Sequence, residues 1–97
     1  MDDDTEYHEL VIDGTLDLHM FQPRDVKELV PDYLQACREK EILLVRIVHG
    51  KGTGTLRRTV HSILDKMSEV VSYRIAGTGN GGWGATLVEL APLEQNS

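Results

Sequence analysis

The sequence predicts an α/β domain: a two-layer sandwich of βαβαββ order, with a mixed four-stranded sheet and two helices on one face. Three observations predict it. Segments with a strand's two-residue period, or with continuous β-branched runs, alternate along the chain with segments of helical period, which implies parallel strands joined by right-handed crossovers. The last two strand segments follow each other across a short glycine-rich loop, which reads as an antiparallel hairpin. Only two helical stretches occur, too few to cover both faces of four strands. At 97 residues the chain is one domain, large enough to bury roughly two-thirds of its unfolded surface in a single core.

Residues 1–12 read as an acidic tail with a short edge strand in His8–Ile12, and Asp13-Gly14 is a turn signal. Thr15–His19 alternates Leu16 and Leu18 with polar neighbours, a strand pattern. Pro23 suits a first helical position, where no N–H is needed. Val26, Leu29, Val30, Tyr33, Leu34 and Cys37 then form one apolar helical face. Pro31 lies inside it and removes a backbone donor, which predicts a kink or break near Lys27–Val30. Ile42–Val48 is nearly continuously apolar and reads as a central strand covered by helices. Leu56, Val60, Ile63, Leu64 and Met67 mark a second helix, Val70–Ile75 a third core strand and Ala85–Leu90 a last strand ended by Pro92. The domain thus spans 13–92, and 93–97 are a frayed end.

Hydrophobic residues make up 40% and charged residues 27% of the chain, the balance of a globular protein rather than a disordered one. No apolar run approaches the ~18–20 residues of a membrane span, and Met1-Asp2-Asp3-Asp4 lacks the basic start of a secretory signal. A cytoplasmic protein without a membrane partner is expected. The lone cysteine, Cys37, excludes an internal disulfide and a multi-cysteine zinc site, and its place on the helical stripe makes it a small packed hydrophobe.

The net charge of −6 argues at face value against nucleic acid, which binds through Lys and Arg. That sum has unlike parts. Residues 1–41 hold twelve acids and four bases, 42–64 hold four bases (Arg46, Lys51, Arg57, Arg58) and no acid, and 65–97 hold four acids and two bases. The acidic total therefore localises an anion's footprint instead of excluding one. With few cations outside that block, the footprint should be small, and a protein partner for targeting is expected.

Two segments carry chemistry. On a strand, Asp17 and His19 project together, and a carboxylate that orients an imidazole makes a candidate general base or acid. They could equally be two unrelated polar residues on a solvated edge. His49-Gly50-Lys51-Gly52-Thr53-Gly54 lies between an apolar strand and a helix. Its glycines leave backbone N–H groups unshielded, and the helix start adds unsatisfied donors and partial positive charge. Arg57 and Arg58 in the first turn oppose the helix dipole, so stability does not explain them, whereas an incoming anion does. A tight strand-to-helix turn is the plainer alternative. The loop fits neither GxxxxGKS/T nor GxGxxG, which argues against a nucleoside triphosphate site.

Gly77–Gly82 matches GxGxxG literally, but strand rather than helix follows it, so it reads as a flexible hairpin loop that could close over a ligand. Trp83 is better read as a core plug for that hairpin than as a stacking platform for a base. His61, beside Val60 and off the apolar stripe, reads as a solvated residue, and His8 is too near the terminus to weigh.

LDLH (16–19), HGKGTG followed by LR (49–57) and GGWGATLVEL (81–90), in this order and spacing, resemble the Smr (small MutS-related) domain family over roughly residues 13–91. The resemblance implies a βαβαββ sandwich similar to the C-terminal domain of translation initiation factor 3. It also implies an endonuclease that nicks DNA or cleaves RNA, linked to DNA repair and recombination or to RNA quality control. The D-L-H motif falls on Asp17, Leu18 and His19, the H-G-x-G motif on His49, Gly50, Lys51 and Gly52, and the G-x-G-A-T segment on Gly82, Trp83, Gly84, Ala85 and Thr86. The family carries glycine after D-L-H; here Met20 stands there and should narrow the mouth beside His19.

Both motifs fall at C-terminal ends of parallel strands, where open α/β sheets bind ligands, so they should meet in one cleft. The expected catalytic residues are His19 as base toward water or an RNA 2′-hydroxyl, Asp17 orienting it, and His49 protonating the leaving oxygen. Gly50, Lys51, Gly52, Thr53, Gly54, Arg57 and Arg58 would bind the phosphate, with Gly82, Trp83 and Gly84 as a closing or stacking loop. No cofactor or clear metal site is expected, because Asp17 is the only carboxylate in either motif; a divalent metal such as Mg stays open. The implied partner is nucleic acid, DNA or RNA, single-stranded or branched. Two alternatives keep the loop without the chemistry: a non-catalytic nucleic-acid-binding module, and an interaction domain whose loop holds a peptide carboxylate.

Overall fold

Strand alternation decides where the core sits. The computed structural model describes residues 11–77 and 84–93. In chain order these form β1 (Thr15–Asp17), 3-10 turns at Leu18–Met20 and Pro23–Asp25, α1 (Val26–Glu39), β2 (Leu44–Val48), α2 (Thr55–Asp65), β3 (Val70–Ile75) and β4 (Ala85–Leu90). The sheet order is β1-β2-β4-β3. β1 runs parallel to β2, and β4 lies antiparallel between β2 and β3. The sheet is therefore mixed, and the architecture is the α/β sandwich expected.

Leu16, Val45, Ile47, Val88 and Leu90 are buried on one sheet face, while Thr15, Asp17, Leu44 and Glu89 between them are exposed. Val26, Val30, Tyr33, Leu34 and Cys37 of α1 and Val60 and Leu64 of α2 pack on that same buried face. β2 is central and, as two helices on one face imply, covered on that face only, with Leu44 64% exposed. One expectation changes here. β3 is an edge strand rather than a core one, its Val71 59% exposed, because β4 takes the inner place beside β2. An apolar, β-branched run satisfies strand geometry at either position, so it does not by itself report coverage.

α1 runs through Pro31 without the expected break. The carbonyl that Pro31 leaves without a donor belongs to solvent-facing Lys27, where water can satisfy it. Pro23 starts the 3-10 turn that leads into the helix. Buried Tyr33 ties α1 to β1: its hydroxyl accepts from the Gly14 N–H and donates to the Thr15 carbonyl, each at 3.0 Å. Arg38 ties the other end of α1 to the chain after β4 through the Ala91 carbonyl at 2.8 Å. Cys37 is fully buried, and burial pushes its thiol pKa up, which suits packing and not nucleophilic work. Val11 and Ile12 form no strand. The rest of the His8–Ile12 segment, Gly82, Trp83 and the remainder of the 78–83 loop, and 94–97 lie outside the described residues. Among the described residues no helix is long and apolar enough to cross a membrane.

Candidate active site

Asp17 of β1 sits opposite Val48 of β2 in parallel register, so the chain leaves both strands side by side. After Asp17 the backbone turns into the 3-10 turn, and His19 lies in that turn rather than on the strand. Asp17 and His19 still meet, by a different device from strand alternation. Asp17 Oδ1 accepts the His19 backbone N–H at 3.0 Å and its Nδ1–H at 2.9 Å. This is an aspartate capping its own turn and holding the ring that the turn carries. The His19 side chain is 60% exposed, and among the described residues nothing bonds its Nε2. Met20 points to solvent, 74% exposed, with no left-handed backbone to explain a family glycine there.

The glycine loop after β2 rises against His19. Gly50 has φ +79, and a Cβ built on it would stand 2.8 Å from His19 Nε2. Glycine is thus required twice, by backbone conformation and by the approach of the imidazole. Gly54 caps α2 in the left-handed conformation, and a Cβ there would lie 2.9 Å from Arg57 Nη2 and 3.2 Å from Arg58 Nη1. Both guanidiniums therefore fold back over the helix start. No side chain caps Gly54, and the first turn of α2 holds no acid. Among the described residues no carboxylate pairs with Lys51, Arg57 or Arg58. A cleft of about 290 Å³ opens here, lined by His49, Thr55 and Arg57 and by the whole Gly50–Gly54 loop. Arg58 lies outside that lining; its guanidinium reaches back toward Gly54, and the residue also borders a second groove along α2.

His49 lies beneath the loop, 4% exposed. Its Nδ1–H donates to the Gly50 carbonyl at 3.0 Å, which leaves Nε2 an acceptor in the neutral ring. Fully buried Thr86 donates its hydroxyl to that Nε2 and accepts from His61 Nε2–H, each at 2.8 Å. The His49 and Gly50 N–H groups both donate to the Gly84 carbonyl at 2.8 Å, which fixes the loop to the start of β4. Burial pushes the His49 pKa below 6.5, with Arg57 and His19 adding to the effect against the Gly50 hydrogen bond. Burial also lowers His61, reinforced by His49 and Arg57 and opposed by Asp65. Both ring nitrogens of His49, expected to protonate the leaving oxygen, are thus engaged, Nδ1 by the Gly50 carbonyl and Nε2 by the Thr86 hydroxyl.

His61 departs from its expectation as a solvated residue. It packs on the Tyr73 ring at 4.7 Å between centroids and bonds Thr86. The signal for it was Thr86, which shares the buried face of β4 with Val88 and Leu90, since a buried hydroxyl calls for partners. The structure brings Asp17, His19, Gly50, Lys51, Gly52, Thr53, Gly54 and Arg57 to one sheet end, with Gly84 behind the loop. Among the described residues no group of three or more His, Cys, Asp or Glu is placed to hold a metal ion.

Fold and site together define a two-layer α/β domain in which an aspartate-held histidine and a cationic glycine loop converge at adjoining strand ends. The model of the Smr domain matches residues 16–91, and the chain belongs to that family. It is 38% identical over 79 residues to Endonuclease MutS2 of Clostridium botulinum, and 35% identical over 79 residues to Endonuclease MutS2 of Halothermothrix orenii. Each alignment covers 81% of this chain and 10% of the relative, so the chain spans about a tenth of their length. The solved Smr domain of Thermus thermophilus MutS2 superposes with TM-score 0.76 at 32% identity, covering 82% of this chain and 100% of that one. YdaL, a stand-alone small MutS-related protein from Escherichia coli, superposes with TM-score 0.74 at 26% identity, covering 80% and 64%.

Proposed function

We propose that this domain is a phosphodiester endonuclease acting on DNA or RNA. The observation that carries the reading is the seating of His19 Nε2 against Gly50, with Asp17 holding Nδ1 and cations lining the adjoining cleft. Because Asp17 accepts Nδ1–H, the neutral ring presents its Nε2 lone pair toward the loop. There it takes the proton of a water or of an RNA 2′-hydroxyl as that oxygen attacks phosphorus. The loop N–H groups beyond Gly50, whose own amide is held by the Gly84 carbonyl, the α2 start, Lys51 and Arg57 hold the phosphate and offset the charge that grows on its oxygens. The leaving oxygen takes its proton from solvent. His49, bonded through Thr86 to His61, keeps the loop in place. The relatives named endonuclease support the same class of chemistry.

A non-catalytic nucleic-acid-binding module is the second reading. One observation favours it: His49 is fully engaged, so the site presents one free imidazole rather than an acid–base pair. Labelled single-stranded RNA, duplex DNA and branched DNA, each with and without chelator, separate the two readings and identify the substrate. His19→Ala should bind normally and lose cleavage by about 10²–10⁴-fold, and Asp17→Asn should weaken it. Chelator-resistant cleavage confined to RNA indicates the 2′-hydroxyl as nucleophile; equal cutting of DNA indicates water, and chelator-sensitive cleavage indicates a metal ion. If His19→Ala cuts like the wild type, the assigned base is wrong. Binding without cleavage by the wild type leaves the binding module.

A further inference from the structure

The loop cleft does not end at α2. Thr55 and Thr59 line it on one side and line a second depression on the other, a groove of about 610 Å³ between α1 and α2. Lys27 of α1 faces it, with Arg58, Ser62 and Lys66 from the α2 side, around an apolar floor of Pro31, Ile63 and Met67. Among the described residues no acidic and no aromatic residue lines it, in a chain whose net charge is −6. Thr55, Arg58, Thr59, Ser62 and Lys66 recur at the spacing of one helical face. Along the helix backbone Arg58 and Lys66 are about 12 Å apart at 1.5 Å per residue, so their cations bracket the length of the groove. Among the described residues none of the three cations is ion-paired, and the nearby Asp65 carboxylate is held by the Tyr73 hydroxyl at 2.6 Å.

We propose that this groove is a second nucleic-acid subsite, carrying the sugar-phosphate backbone of the bound strand away from the loop cleft. It rests on the reading that the cleft takes a phosphodiester. Lys and Arg with threonine and serine hydroxyls are the groups that contact phosphate oxygens, and without an aromatic platform the groove grips the backbone and reads no bases. Charge complementarity and continuity with the cleft single out this occupant. Two of the cations, Lys27 and Lys66, lie outside the basic block of residues 42–64, so folding enlarges the footprint the sequence suggested.

The test is binding of short (about 4-nucleotide) and long (about 12-nucleotide) single-stranded RNA and DNA, measured across a salt series by fluorescence anisotropy. The wild type is compared with a Lys27→Gln/Lys66→Gln variant; both positions are exposed, so the fold should be kept. The expected result is unchanged affinity for the short oligomers and weakened affinity for the long ones. The salt slope for the long ones should become shallower by about 1.4, at about 0.7 per lost contact on a single strand. RNA and DNA should lose alike, since the contacts are to phosphate. A variant that tracks the wild type at every length and salt overturns the groove and leaves the cleft reading intact. A wild type that binds neither length overturns both. Equal binding of a polyglutamate peptide by the wild type, lost in the variant, overturns the groove as a nucleic-acid site and makes it a polyanion surface.

Discussion

At the scale of single residues, Gly50 is where backbone and chemistry constrain each other. The imidazole of His19 occupies the space a side chain would fill, and φ of +79 adds a penalty for any L-residue. Gly50→Ala should cost about 1–2 kcal/mol from the left-handed conformation, and more from the 2.8 Å approach to His19 Nε2. It should also displace His19, the proposed base, so on that reading cleavage should fall more than stability does. Gly52→Ala is the control: its φ of +31 is also unfavourable, but nothing lies within 4 Å of the added carbon. Thermal unfolding beside cleavage rates would separate the two. Equal losses of activity in both variants would mean that the Gly50–His19 apposition has no part in the reaction.

The scale of elements shows what the sequence made legible. Helical and strand periods located α1, α2, β3 and β4, because apolar spacing follows directly from one-sided burial. The same spacing missed that β1 stops at Asp17, because an aspartate capping a turn looks like any polar residue alternating with leucines. It missed the edge position of β3, which depends on where β4 inserts. It also read His61 as solvated, since a partner 25 residues away on β4 leaves no local trace. Asp17, His19 and the glycine loop were legible as motifs; the bracing beneath them was not. Thr86 joins β4 to the end of β2 and to α2 through its two imidazole partners. Thr86→Val keeps the shape and removes the hydroxyl. It leaves two half-buried or buried ring nitrogens unpartnered and should cost about 1–3 kcal/mol, read by urea denaturation. Nucleic-acid affinity should fall with it, as the loop loses its floor. A neutral Thr86→Val would show that these hydrogen bonds do not hold the loop.

For the whole molecule the same pair of histidines couples folding to pH. Both rings are held neutral, chiefly by burial, with folded-state pKa values below the 6.5 of a free histidine. The unfolded chain therefore takes up protons first as the solution is acidified. The stability linked to these groups is complete above pH 6.5 and is lost as pH falls from there through their depressed folded values. The groups facing the pair modulate what burial sets: the Gly50 hydrogen bond opposes it at His49 while Arg57 and His19 add to it, and at His61 the His49 ring and Arg57 add to it while Asp65 opposes it. Urea denaturation from about pH 8 to about pH 5 should show a plateau followed by a decline below pH 6.5. His61→Gln keeps a side-chain N–H for Thr86 but cannot titrate, so its decline should be shallower. Because His49 anchors the Gly50 carbonyl, affinity for nucleic acid should fall over the same pH range and less steeply in His61→Gln. A flat profile, or parallel declines in wild type and variant, would mean that the two histidines do not titrate as a buried pair.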